Sequence, residues 1–214
     1  MSKRFITADW HLGEGRFRIM QRPFTSVAEQ TNYMVGMHNE LVSPDDTVYV
    51  VGDVVNQKTP EYLEEVSRFN GRKILIRGNH DRVFTDEQLA PYFDQIVPDG
   101  GGVHLDVAFE EDDMLRCWVT HYPTQGKELS FNLVGHIHTA WKVQLNALNI
   151  GVDANHFKPL DIDEDVPFLF GAIRDFYDED VWVAYAQAQA MWRGLRGKAG
   201  RYLDVDGLVG GGGM

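Results

Sequence analysis

The stretch KILIRGNHD, residues 73–81, places a cluster of polar residues directly after an apolar run. The run from Lys73 to Arg77 has the length and composition of a buried β-strand. The four residues that follow, Gly78 to Asp81, combine an amide, an imidazole and a carboxylate. At average residue usage, such a string arises by chance in about one chain in a thousand of this size. The stretch therefore predicts a strand that ends in a chemically active loop.

The same arrangement recurs at four other places, where a predicted strand ends in aspartate or histidine. The predicted strands are 4–8, 47–51, 114–120 and 133–134, and the polar groups after them are Asp9-Trp10-His11, Gly52-Asp53, His121 and Gly135-His136-Ile137-His138. With His80 of the Gly78 to Asp81 motif included, five of the eight histidines of the chain lie in these strand-end motifs. Because the carboxyl ends of strands in an open α/β sheet lie together, we expect these side chains to converge on one site.

Helix signals separate the first three strands. Ser26 and Glu29 form a capping-box pattern before one helix, and Thr59-Pro60 opens another that ends near residue 69. Farther along, residues 103–109 alternate in polarity and predict a hairpin with 114–120, and residues 148–152 predict one more strand. A β-α-β-α-β order followed by antiparallel strands predicts an α/β fold with two packed sheets between helices.

Two pairs of side chains in these motifs are spaced to share a metal ion. Asp9 and His11 are two residues apart, and at an extended strand end such residues point the same way. His136 and His138 repeat the spacing. The pattern therefore predicts carboxylate and imidazole ligands directed into one space.

Two further residues suit a site with two ions. A carboxylate can bridge two metals, and Asp53, preceded by the small Gly52, is the candidate. Asn79 offers a neutral carbonyl oxygen. Oxygen and nitrogen ligands without thiolate favour manganese, iron or zinc over a structural cysteine site. We expect Mn²⁺, with Fe, Zn²⁺, Ni²⁺ and Mg²⁺ as alternatives.

Together these motifs resemble the calcineurin-like metallophosphoesterase superfamily, over about residues 4–160. The resemblance implies a four-layer α/β/β/α sandwich of two mixed sheets. It also implies two metal positions, one with Asp9, His11, Asp53 and His138, the other with Asp53, Asn79, His121 and His136. By the same resemblance, His80 lies beside the scissile phosphate and Asp81 orients the His80 ring.

One subgroup, small phosphoesterases of bacteria and their phages, is similar over more of the chain. Its motifs read here as Arg22-Pro23-Phe24, His121-Tyr122-Pro123 and the segment Asn149 to Asp153. This chain departs from the subgroup at Glu14, where members often have a second histidine. It also lacks the Asp-Arg-Gly of Ser/Thr protein phosphatases after Asp53, which weakens the case for a phosphoprotein substrate.

The resemblance implies a phosphohydrolase in which a hydroxide held between two ions attacks phosphorus. We expect the substrate to be a phosphodiester or a small nucleotide. Arg16, Arg18 and Arg22 are candidates to bind its charge, with a solvated basic loop as the alternative reading. The competing functions are a phosphomonoesterase, a DNA nuclease related to repair nucleases, and a binding module without catalysis. A net charge of −12 argues against long duplex nucleic acid as a partner.

The chain is predicted to have a phosphoesterase domain over 1–160 and a C-terminal extension over 161–214. The extension reads as helical and ends in a flexible glycine-rich tail, and it offers a surface for a second copy of the chain. No signal peptide or membrane-spanning apolar run is visible, and Cys117 has no internal disulfide partner. We therefore expect a cytoplasmic protein that does not bind membranes.

Overall fold

The computed structural model describes residues 2–110, 113–144 and 146–176, with the side chains of residues 175 and 176 excluded. Within this part of the chain, no helix is long and apolar enough to cross a membrane. Contacts divide the chain into two compact units, Met1–Ile173 and Arg174–Met214. The predictions for residues 177–214, the glycine-rich tail among them, lie outside the described residues.

The first sheet is built from strands that are short and rich in β-branched residues. Its spatial order is β10 (Leu160–Asp161), β1 (Arg4–Thr7), β2 (Thr47–Val50), β3 (Arg72–Ile76) and β4 (Gln95–Val97). The four strands from β1 to β4 are parallel, whereas β10 is antiparallel to β1. The carboxyl ends of β1, β2 and β3 therefore lie side by side at one edge.

The helices associated with this sheet are α1 (Phe17–Met20), α2 (Val27–Leu41), a 3₁₀ helix (Pro60–Arg68) and α3 (Asp86–Leu89). Of these, α2 and the 3₁₀ helix begin at the predicted signals. The Ser26 hydroxyl accepts a hydrogen bond from the main-chain N–H of Glu29, as an N-cap does. The Glu29 carboxylate binds Thr25 instead of returning to Ser26, so only half of the expected capping box forms.

The second sheet carries the remaining motifs. Its order is β5 (Gly102–Phe109), β6 (Asp113–Thr120), β7 (Phe131–Val134), β9 (Ala147–Asn149) and β8 (Val143–Gln144). The predicted hairpin forms between β5 and β6, whereas β6, β7 and β9 run parallel. This geometry brings the ends of β6 and β7, and hence His121 and the His136 loop, to the same edge.

The strand predicted over 148–152 ends early, at Asn149. The Asn149 side chain turns the chain there, since its oxygen accepts the N–H of Gly151 and its amide donates to the carbonyl of His138. A 3₁₀ helix, Val152–Ala154, follows directly. Asp153 is therefore on a helical turn and not at a strand end.

The two sheets lie between helices. On the first sheet, Trp10 stacks on Phe69 at 4.1 Å between ring centroids and contacts His38 of α2 edge-on. On the second, Phe170 of α4 (Asp165–Phe176) packs against Phe109 and Phe131 at 5.1 Å. The predicted α/β fold with two mixed sheets is confirmed.

The first compact unit extends beyond the expected boundary at residue 160. Asp161 pairs with Phe5 of β1, and Ile162 and Val166 are buried. Residues that were assigned to the extension thus complete the first sheet and the core. The unit ends at Ile173, within α4.

Candidate metal centre

The ends of β1, β2, β3, β6 and β7 bring the predicted ligands into one cluster. Two groups of three side chains have ligand atoms within 4.8 Å of one another: Asp9, His11 and His138, and Asp53, His121 and His136. A third group joins His11, Asp53 and His80 by the same measure. We call the first group the His138 position and the second the His121 position. Each group contains three of the four residues of one predicted ligand set: Asp53 is absent from the first group and Asn79 from the second.

Asp53 lies between the two positions. Its Oδ2 atom is 3.5 Å from Nε2 of His11, and its Oδ1 atom is 3.5 Å from Nε2 of His121. The two oxygens of one carboxylate thus face different imidazoles. This is the arrangement that a bridging ligand needs.

Several buried polar atoms in the cluster have no hydrogen-bond partner among the residues that the structure describes. They are both ring nitrogens of His11, Nε2 of His121 and Oδ1 of Asn79. Buried polar atoms in proteins are almost always hydrogen-bonded, so unpartnered atoms gathered in one place require another ligand. Imidazole nitrogens together with carboxylate and amide oxygens suit a divalent cation such as Mn²⁺, Fe²⁺ or Zn²⁺. The residues present therefore fit the predicted metals.

The ligand-bearing loops have a left-handed backbone. The φ angles of five predicted ligands are positive: 60° at Asp9, 47° at His11, 54° at Asp53, 75° at His136 and 48° at His138. The expectation that an extended strand end aligns each i, i+2 pair was wrong, because the backbone turns at these residues. Non-glycine residues in this region are strained and persist where the surrounding structure holds them, often at functional sites.

Glycines beside the ligands permit the close packing. A Cβ atom on Gly78 would lie 2.4 Å from Oδ1 of Asp53, and one on Gly52 would lie 2.5 Å from Nδ1 of His121. Both distances are shorter than any real contact of such atoms. The glycines of the Gly-Asp and Gly-Asn-His-Asp motifs therefore make room for neighbouring ligands.

Hydrogen bonds orient two of the imidazoles. Nδ1 of His121 lies 2.8 Å from the carbonyl oxygen of Val51, and Nδ1 of His138 lies 2.7 Å from Oδ2 of Asp153. Each contact engages Nδ1 and leaves Nε2 for a metal, which is the usual support for a metal-binding histidine.

Burial and mutual charge perturb the ligands. Burial raises the pKa of the Asp9 carboxyl to about 6 and lowers the pKa of His11 to about 3. Burial disfavours the charged form of His121, but the negative charges of the nearby Asp53 and Asp9 outweigh it and raise the pKa of His121 to about 9. Because metals bind deprotonated ligands, a cation must displace protons held here.

His80 is half-buried and points toward the cluster. Its Nδ1 atom accepts a 3.4 Å hydrogen bond from the main-chain N–H of Gln57, so the neutral ring carries its proton on Nε2. The pKa of His80 is lowered, chiefly by burial, which favours this neutral form. Gln57, which was not among the predicted site residues, therefore orients the ring.

Asp81 does not have the expected role. Its carboxylate accepts hydrogen bonds from the main-chain N–H groups of Asp53, Val54 and Gly78, at 2.8, 3.0 and 2.8 Å. Its oxygens are directed at these backbone groups and not at the His80 ring. Asp81 therefore fixes the loop that carries Asp53, and its predicted contact with His80 was wrong.

The three predicted substrate arginines have different environments. Arg18 is exposed on α1, whereas the half-exposed Arg16 is held by Glu14 through Nε at 2.9 Å and Nη2 at 2.7 Å. Arg22 is a correction to the prediction, because its side chain is fully buried and its five N–H groups all have partners. It cannot contact a substrate in this arrangement.

Glu14 occupies the place where the subgroup often has a histidine. Its side chain is 1% exposed and also accepts a 2.7 Å hydrogen bond from Asn56. Burial acts to raise the pKa of Glu14, but the hydrogen bonds and charge of Arg16 outweigh it and lower the pKa to about 2. Both charges act on His80, so the Glu14–Arg16 pair borders the site.

Sequence reasoning also missed Asp153 and Gln30 as parts of the site. Asp153 belongs to the Asn149 to Asp153 motif, which was the only signal for it, and it contacts His138. Gln30 carried no signal, since nothing in a helical glutamine indicates that its amide donates to the carbonyl of His11.

Comparisons with known proteins agree with this geometry. A family model described as calcineurin-like phosphoesterase matches residues 3–171. An uncharacterized protein of Methanocaldococcus jannaschii is 22% identical over 176 residues, which cover 76% of this chain and 89% of that protein. The Gene 66 protein of Mycobacterium phage L5 is 32% identical over 84 residues, 38% of this chain and 41% of that protein.

A solved structure has a similar fold. The crystal structure of a protein of unknown function from Aquifex aeolicus has a TM-score of 0.53 at 22% identity, covering 75% of this chain and 95% of that chain. The family match includes all seven predicted metal ligands, from Asp9 to His138, as well as His80. The chain therefore belongs to the calcineurin-like phosphoesterase family, whose members hydrolyse phosphoesters with bound divalent metal ions.

Proposed function

We propose that this metal-dependent phosphoesterase uses two ions to cleave a phosphodiester or a small nucleotide phosphate. The observation that carries the proposal is Asp53, whose two oxygens face His11 and His121 at 3.5 Å each. One carboxylate placed between two ligand groups supports two neighbouring ions. We expect its natural substrate to be a small phosphorylated molecule.

The His138 position would hold one ion with Asp53, and the His121 position with Asn79 would hold the other. Divalent ions in such a site lower the pKa of water and neutralise charge on the phosphate oxygens. Mn²⁺ is the metal we expect among manganese, iron and zinc, which nitrogen and oxygen ligands without thiolate favour. The buried and unpaired Cys117 is consistent with a reducing compartment such as the cytoplasm.

His80 supplies the proton chemistry of the protein. With Nδ1 accepting from Gln57, the Nε2–H group is free to donate to a phosphate oxygen or to the leaving oxygen. The main-chain N–H of His80 donates to Oδ1 of Asp53 at 2.8 Å, which ties the acid to the shared ligand. Asp81 stabilises the same loop by accepting a hydrogen bond from the main-chain N–H of Asp53.

The small number of arginines available to the site favours a diester. A monoester near neutral pH carries about two negative charges, whereas a diester carries one. Of the three loop arginines, only Arg16 is anchored beside His80, and Arg22 is occupied internally. The net charge of −12 further disfavours a long duplex.

The test is hydrolysis of bis-p-nitrophenyl phosphate and p-nitrophenyl phosphate by the full chain, after chelation and after readdition of Mn²⁺. We expect diester cleavage that disappears with chelator and returns with metal. Preference for the monoester would instead establish the second candidate, a phosphomonoesterase. Digestion of single- and double-stranded DNA under the same conditions tests the nuclease alternative. Absence of cleavage of every one of these substrates would contradict the proposal.

A further inference from the structure

Arg22 lies at the centre of a buried hydrogen-bond network that reaches each residue of the His138 position. Its Nη2 atom donates to the carbonyl oxygen of Asp9 at 2.7 Å. Its Nη1 atom donates to Oε1 of Gln30 at 3.1 Å, and the Gln30 amide donates to the carbonyl oxygen of His11 at 3.2 Å. Arg22 thus holds the backbone of two ligands, one directly and one through Gln30.

The third ligand is reached through Asp153. Nε and Nη2 of Arg22 form a bidentate ion pair with the Asp153 carboxylate, at 2.8 and 3.0 Å. Oδ2 of Asp153 is also 2.7 Å from Nδ1 of His138. A carboxylate behind a metal-binding imidazole fixes the ring orientation and makes it a better ligand. Arg22, Gln30 and Asp153 together form what we call the Arg22 hub.

The held backbone is strained. Asp9 and His11 have φ angles of 60° and 47°, a conformation that must be imposed by surrounding contacts. Arg22 and Gln30 bind three successive carbonyl groups across this turn, those of Asp9, Trp10 and His11. The hub therefore keeps the two ligands in a geometry that the chain would not adopt unaided.

The His121 position is supported differently. Nδ1 of His121 contacts the carbonyl of Val51, and Asp53 is held by Asp81. Within the described part of the chain, no hydrogen bond of the hub reaches the side chains of His121, His136 or Asn79. The two positions are linked through the Asp9 carboxylate, which accepts the main-chain N–H of His136.

We propose that the Arg22 hub sets the metal affinity of the His138 position and not that of the His121 position. Arg22, Gln30 and Asp153 are positioning residues, since they act through ligands and touch neither substrate nor metal. The inference rests on the proposed two-metal site. It predicts that damage to the hub produces a protein that binds one ion tightly and the other weakly.

The test counts metal and does not depend on catalysis. Metal-free full-length wild type and Asp153→Asn are titrated with Mn²⁺ by calorimetry, and bound manganese per chain is measured by mass spectrometry at fixed free Mn²⁺. We expect two ions in wild type, and in Asp153→Asn a 10- to 100-fold weaker affinity for one ion only, about the usual effect of such a change. Asp46→Asn is the matched control, because Asp46 is a buried aspartate whose carboxylate, among the described residues, accepts hydrogen bonds from the main-chain N–H groups of Lys3 and Ser43.

Gln30→Met is the second variant if Asp153→Asn does not fold, as judged by circular dichroism. It removes the contact to the His11 carbonyl without leaving a buried charge unpaired, and the same single ion should weaken severalfold. Equal weakening of both ions, unchanged binding in the hub variants, or a single ion in wild type would each overturn the inference. A chain that shows the expected metal counts but cleaves no phosphoester would refute the proposed function alone.

Discussion

The Asp81 carboxylate holds Asp53 by its backbone, with Oδ2 of Asp81 accepting the main-chain N–H of Asp53 at 2.8 Å. The same oxygen accepts the N–H of Gly78, and Oδ1 accepts that of Val54. Asp53 has a left-handed backbone and lies between the two metal positions. A side chain expected to act on the catalytic histidine thus fixes the shared ligand instead.

Asp81→Asn is expected to destabilise the protein by about 1–3 kcal/mol, because the new amide faces buried N–H donors. The measurement is urea unfolding of the metal-free chain. Asp86→Asn is the control: Asp86 is exposed and pairs with Arg77, so its loss should change the free energy of unfolding by less than about 0.5 kcal/mol. Equal effects of the two changes would contradict the role given to Asp81.

Asp53→Asn and His80→Asn should separate metal binding from proton transfer. Each should lower turnover of the diester at least about a hundredfold. Only Asp53→Asn should also lower the number of Mn²⁺ ions per chain, since Asp53 faces both positions and His80 is placed to act on the phosphate. Turnover assays and metal counts on the same samples test this, and near-normal turnover in a folded, metal-loaded variant would refute the assignment.

Mn²⁺ should raise the thermal stability of the chain. An ion at 100 times its dissociation constant contributes about 2.7 kcal/mol to the folded state, or about 5–10 °C in melting temperature for a protein of this size. The stabilisation arises because the unpartnered atoms of His11, His121 and Asn79 gain a ligand. Melting curves in chelator and in Mn²⁺ measure it, and a shift of the same size in Asp53→Asn would argue against binding at this centre.

Arg16→Ala should raise the KM for bis-p-nitrophenyl phosphate about tenfold, the value of one charge-assisted hydrogen bond. Arg16 is anchored to the buried Glu14 through Nε and Nη2, whereas the exposed Arg18 serves as the control. The difference in KM between Arg16→Ala and the control variant Arg18→Ala should become smaller in high salt, since the Arg16 side chain is 49% exposed and its charge is screened. Steady-state kinetics at two ionic strengths measure these KM values. Equal KM values in the two variants would contradict a role for Arg16 in substrate binding.

His38 should make the metal-free protein less stable as the pH falls below about 6.5. Its buried ring contacts the carbonyl of Asn70, and burial lowers its pKa to about 4. Between these pH values the unfolded chain binds a proton that the folded chain excludes, so stability is full above pH 6.5 and declines toward pH 4. The loss is of the order of 3 kcal/mol. Comparing the free energy of unfolding of wild type and of His38→Gln as a function of pH isolates this effect. The prediction is contradicted if the two free energies depend on pH in the same way.

Much of the fold was predictable because its signals are local. The apolar runs at β1, β2 and β3 and the alternation in β5 are patterns of neighbouring residues, and the structure contains strands at these places. The prediction of a strand through residue 152 was wrong because the Asn149 side chain bonds to the carbonyl of His138, a residue 11 positions earlier in a loop. The short strands β4, β8 and β10 were missed, since two or three residues carry too little pattern to be recognised.

The sequence by itself determined which residue types stand at the strand ends, and hence the family and the ligands of the candidate metal centre. Only the tertiary structure decided what surrounds them: Arg22 and Asp153 are 131 positions apart and still form one buried ion pair. From the sequence, Arg22 was therefore predicted to lie in an exposed basic loop, and Asp81 was predicted to orient its neighbour His80. A ligand type follows from a local motif, but burial and the direction of a hydrogen bond depend on contacts between distant segments, which local patterns do not encode.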